Sequence, residues 1–64
     1  MLEALTTVEA ACSAAGFVFE SADPKVRAVI GCGYIKGRAA PTGLEPLWVD
    51  ALAACDVVEG FLGS

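Results

Sequence analysis

The stretch Ile30-Gly31-Cys32-Gly33-Tyr34-Ile35-Lys36-Gly37 is where the residue types most invite a chemical reading. Glycine loops cradle phosphates because bare backbone N–H groups approach an anion closely. The spacing fits neither phosphate motif. A dinucleotide fingerprint wants a third glycine where Lys36 stands, and a P-loop wants four residues between its glycines and then Lys followed by Ser or Thr. Glycines that twist a strand, or that let a helix pack closely, explain the segment better. Cys32 could act as a nucleophile only beside a group that lowers its pKa. The chain has no His, and Lys36 or Arg27 could supply a field but no base.

Cys12, Cys32 and Cys55 stand about twenty residues apart, an odd set without a Cys-x-x-Cys pair. One chain then lacks a fourth good ligand for tetrahedral zinc, and an odd count argues against a disulfide framework. The expectation is three reduced thiols packed as small hydrophobes; a metal or disulfide shared between two chains is the sharper alternative. Asp56 and Glu59 are three apart on one helix face, a spacing that usually marks a solvated surface. No catalytic, cofactor-binding or metal-binding residue is assigned, and the chain is not expected to be an enzyme.

These groups must be positioned by a short chain. It has 64 residues, 56 % of them apolar with 7 glycines in addition, and a net charge of -4 from 4 basic and 8 acidic side chains. Ordinary domains run at about 45–50 % apolar with glycine included. A chain of this size forms one domain and buries only about 60 % of the surface it exposes when unfolded. Apolar side chains therefore outnumber the interior places, although twelve alanines bury little area each. The longest uncharged stretch, residues 10–19, is half of what a spanning helix needs. The first fifteen residues carry Glu3 and Glu9 but no basic residue, unlike a secretory signal. The expected location is the cytoplasm, without membrane contact.

The clearest element lies in residues 44–61. Leu44, Leu47, Trp48, Ala51, Leu52, Cys55, Val58, Phe61 and Leu62 recur at helical spacing. Thr42 and Glu45 have the spacing of a capping box, and Pro46 suits a first turn. Residues 2–15 predict a second helix, starting at Leu2 or at Thr7, with Leu5, Val8, Ala11, Cys12 and Ala15 on one face. Thr6 and Glu9 offer another capping box. Gly16 is placed to end the helix left-handed, with Phe17 folding back. Between them, the aromatic and β-branched residues 17–20 suit a strand, residues 21–25 a turn and residues 26–35 a return strand. Asp23 and Pro24 also read as a helix start, with Val26, Val29, Ile30 and Gly33 at helical spacing, but β-branching and two glycines disfavour it. Residues 37–43 read as a loop. The expected fold is α+β, with an N-terminal helix, a central β-hairpin and a long C-terminal helix; an all-α three-helix arrangement is the alternative.

Charge is segregated. Residues 1–20 and 41–64 hold acids only, while Lys25, Arg27, Lys36 and Arg38 all fall in the middle. On a hairpin these four would form one basic edge, able to orient an acidic partner or simply to guard an exposed strand. An acidic chain gains little from counterion release, so direct nucleic-acid binding is not expected. The sequence therefore points to a small protein-binding module, a steric inhibitor or modulator of a larger host protein or complex, of the kind phage and other mobile elements encode. The alternative is a small structural or assembly subunit that self-associates as a homo-oligomer. Trp48, Leu52, Phe61 and Leu62 are the expected apolar contacts, and Lys25, Arg27, Lys36 and Arg38 the orienting charges. For Trp48 a place in the monomer core is the competing assignment.

Overall fold

A computed structural model describes residues 2–63 and contains three helices, α1 (Leu2–Ala14), α2 (Pro24–Lys36) and α3 (Glu45–Leu62). Each helix packs against the other two. The fold is all-α, which corrects the expected α+β class: there is no strand among the described residues. Residues 17–20 are extended but form no ladder, and residues 26–35 are helical.

The start signals of α2 prevail over its β-branched content. The Asp23 carboxylate accepts from the Lys25 N–H at 2.9 Å, and the Asp23 carbonyl accepts from the Arg27 N–H at 2.9 Å. Pro24 occupies the first turn, where a missing N–H leaves nothing unpaired. The valines that seemed to require a strand lie on the outer side of the helix, where they are exposed. The inner side is Ala28, Gly31, Cys32 and Ile35, at the same helical spacing. Gly31 is there for closeness. A Cβ on it would meet Val8 Cγ1 at 2.8 Å and Phe19 Cζ at 3.3 Å.

Helix α1 ends as its sequence implies. Gly16 has φ of 91°, the Gly16 N–H bonds the Ser13 carbonyl at 3.0 Å, and the Phe17 N–H reaches the Cys12 carbonyl at 2.9 Å. This is the paired hydrogen bonding of a Schellman motif, and it turns Phe17 onto the core. The capping boxes need correction. Thr6 sits inside α1, which begins at Leu2. Thr42 lies in a turn closed by the Leu44 N–H to the Pro41 carbonyl at 2.9 Å, with Gly43 at φ 91°. That turn separates Thr42 from the helix, so the N-cap falls on Leu44, and the Glu45 carboxylate accepts from the Gly43 N–H instead.

The core is narrow and built from small residues. Leu5, Val8, Ala11 and Cys12 of α1 meet Ala28, Cys32 and Ile35 of α2 and Trp48, Ala51, Ala54, Cys55 and Val58 of α3. Trp48 is 2 % exposed and donates from Nε1 to the Arg38 carbonyl at 3.4 Å. A row of rings connects it to the linker after α1: Trp48 to Tyr34 at 6.4 Å, Tyr34 to Phe17 at 4.6 Å and Phe17 to Phe19 at 5.0 Å. On α3 the buried line is centred nearer Ala54 than the sequence stripe implied. Leu52 and Phe61 are left outside it.

Candidate interaction surface

Among the described residues no polar or charged side chain is buried, and no group of three Cys, Asp or Glu is placed to hold a metal ion. Each helix contributes one buried cysteine. Burial, followed by the neighbouring Cys32 and Glu9, pushes the Cys12 thiol up to about 11. Burial, then the adjacent Cys32 thiol, pushes Cys55 up to about 12. Both groups are therefore neutral thiols near neutral pH. The Cys12 Sγ donates weakly to the Gly31 carbonyl at 3.7 Å.

The basic residues do not form the single edge that a hairpin would have made. The Arg27 Nε donates to Glu9 Oε2 at 2.7 Å, its Nη1 to the Ser21 carbonyl at 3.3 Å, and its guanidinium lies over the Phe19 ring. Arg38 lies over Tyr34, 4.4 Å from the ring centroid. Lys36 pairs with Glu59 across the α2–α3 groove, and that hydrogen bond raises the Lys36 pKa. Lys25 makes no ion pair among the described residues. Eleven residues of helix set it about 16 Å along the axis from Lys36. Three of the four cations thus serve the fold.

The apolar candidates divide. Trp48 is in the core, and Leu62 is half-buried against it. Leu52 is 40 % and Phe61 58 % exposed. Sequence reading missed a second apolar line on α3. Val49, Ala53 and Val57 follow one another at four-residue steps on the side away from the core, with Pro46 and Gly60 extending the line at either end. Helix α2 repeats the arrangement with Val26, Val29, Ile30 and Gly33. The signal was present as a four-residue spacing of Val49, Ala53 and Val57, parallel to the core stripe. Assigning one apolar face per helix concealed it.

Carboxylates border the outer line of α3. Asp50 lies on one side, and Glu45 and Asp56 on the other. The helix has no Lys or Arg, and Glu59 is its one carboxylate with an ion pair among the described residues. Val57, Gly60 and Phe61 together with Asp56 line a shallow depression at the C-terminal end of this face. A deeper groove, of about 350 Å³, runs between α2 and α3 under the Lys36–Glu59 pair.

Comparison with protein-family models, with curated proteins and with solved structures finds no match.

Proposed function

We propose that this chain is a small protein-binding module that acts by occupying a surface of a larger protein, as a steric inhibitor or modulator. The observation that supports this reading is the doubled apolar patterning of α2 and α3. A helix apolar on both faces is normally covered on both, yet Val29, Val49, Val57 and Phe61 are each at least half exposed in the single chain. Contiguous apolar surface on so small a protein marks a contact region. The mechanism needs no cofactor. Apolar area supplies affinity, and the acidic border supplies orientation and on-rate. The cytoplasm, where three unpaired thiols stay reduced, suits such a role.

The test is site-specific photocrosslinking in cells that carry the gene. A photoreactive residue in place of Val57 or Val49 should give an adduct of defined mass with another protein. The same group in place of Ser13, exposed on α1, should not. Equal adducts from both positions, or none from Val57, would refute the reading. Adducts of twice the chain mass alone would replace it with the self-associating subunit.

A further inference from the structure

We propose that the outer face of α3, Val49, Ala53 and Val57 between Asp50 on one side and Glu45 and Asp56 on the other, receives an amphipathic helix of a partner protein whose apolar stripe is bordered by Lys and Arg. The inference rests on the protein-binding reading and names the chemistry of its occupant. The shape fits a helix. From Pro46 to Gly60 the line runs about 21 Å, or four turns. Its small residues, Ala53 and Gly60, lie along the line, and a Cβ on Gly60 would meet nothing within 4 Å. A second helix can therefore lie close against it.

Charge selects which helix. Two copies of α3 laid face to face would bring together two sets of Glu45, Asp50 and Asp56, none of them ion-paired among the described residues, with no cation on either helix. Like charges across a helix pair are destabilising. The chain's own basic residues match the face poorly from a second copy: Arg27 is committed to Glu9, Lys36 to Glu59 and Arg38 lies over the Tyr34 ring, which leaves Lys25 as the one cation without such a contact among the described residues, against three carboxylates. The unmatched carboxylates and the uncovered valines ask for the same thing: an apolar stripe that brings its own cations.

The experiment is a titration of the isotopically labelled full chain, followed by amide NMR at low and at physiological salt. Three synthetic peptides serve as probes: a helical Leu/Lys peptide in amphipathic order, a scrambled peptide of the same composition, and the Leu/Glu counterpart. The expected result is that the ordered Leu/Lys peptide shifts amides of α3 around residues 49–57, leaves the exposed face of α1 unmoved and binds more weakly as salt rises. Val57→Lys, at an exposed position, should keep the thermal midpoint and lower the affinity at least tenfold. Ala53→Arg should do the same, which guards against a fold defect in either variant. Shifts spread evenly over all faces, equal binding of the scrambled or Leu/Glu peptide, or unchanged affinity in both variants would overturn the proposal. So would concentration-dependent self-association that Val57→Lys abolishes, since the occupant would then be a second copy. A crosslink at Val57 without Leu/Lys binding would refute this chemistry and leave the module reading standing.

Discussion

Val8 of α1 fills the space that Gly31 of α2 leaves open, so closely that a Cβ at position 31 would lie 2.8 Å from Val8 Cγ1. Two glycines of one helical turn, Gly31 and Gly33, therefore have opposite consequences. Gly31→Ala must push apart a stiff valine and the Phe19 ring, and should cost about 1–3 kcal/mol. Gly33 faces outward with nothing within 4 Å of a built Cβ. Gly33→Ala should add about 0.5–1 kcal/mol through helix propensity alone. Urea unfolding of the two variants checks the contrast; destabilisation of the same size in both would show that the α1–α2 spacing is not set by Gly31.

The same helix explains what could and could not be read from the sequence. Helices α1 and α3 were legible from their periodicity and from the end of α1: Gly16 and Phe17 close α1 as their types require, and Trp48, Ala51, Cys55 and Val58 of the α3 stripe are buried, while both capping boxes misplaced the helix starts. In α2 the two lines of apolar residues, Ala28–Gly31–Cys32–Ile35 inside and Val26–Val29–Ile30–Gly33 outside, fill opposite faces and cancel each other's periodicity. What remains is a run of valines, isoleucines and glycines, which reads as strand. Tertiary packing and the Asp23–Pro24 start decide otherwise. The candidate surface was obscured for the same reason. Apolar excess was evident from composition, but its place on the outer side of α3 depends on which of two stripes the core takes.

Arg27 is held by three contacts of different kinds, and they can be separated. Its ion pair with Glu9 is partly exposed, at 31 % and 26 % of the two side chains, so Glu9→Gln should cost less than about 1 kcal/mol. Arg27→Ala also removes the hydrogen bond to the Ser21 carbonyl and the cover over Phe19, and should cost about 1–2 kcal/mol more. Arg27→Lys should fall between them, because an ammonium cannot form the same fork. A double-mutant cycle on Glu9 and Arg27 measures the pair. A coupling free energy equal to the whole loss in Arg27→Ala would mean that the Ser21 and Phe19 contacts contribute nothing.

The raised cysteine pKa values set an alkaline limit to stability. In the folded chain Cys12 and Cys55 hold their protons up to about 11 and about 12, against an ordinary value of 9.0. Between the ordinary and the folded values the unfolded chain has released protons that the folded chain retains, so unfolding becomes easier as pH rises. Stability from these two groups is complete below pH 9.0 and is lost progressively towards pH 12. Cys55→Ala should flatten the fall while lowering stability at neutral pH through the space it leaves. Unfolding midpoints measured from pH 7 to 11 test the sign; a rise across that range would contradict it. Alkylation at pH 8 should likewise proceed only as fast as the chain opens.

Trp48 and Phe61 occupy the same helix with opposite fates, and their replacement distinguishes core from contact. Trp48 is 2 % exposed, touches the Tyr34 ring edge-on and anchors the loop through the Arg38 carbonyl. Trp48→Ala should cost about 3–5 kcal/mol, a large share of what a single core of this size supplies. The variant should therefore be largely unfolded at room temperature, with loss of the helical far-ultraviolet circular dichroism and of the cooperative thermal transition. Phe61 is 58 % exposed at the last turn of α3. Phe61→Ala should change stability by no more than about 0.5 kcal/mol, as surface substitutions do, and its thermal transition should overlay the parent's. If Phe61→Ala instead unfolded the chain, the ring would be part of the core and the outer face of α3 would end before its last turn. If Trp48→Ala remained folded, the row of rings from Phe19 to Trp48 would be an ornament of the surface rather than the support on which α3 presents its valines.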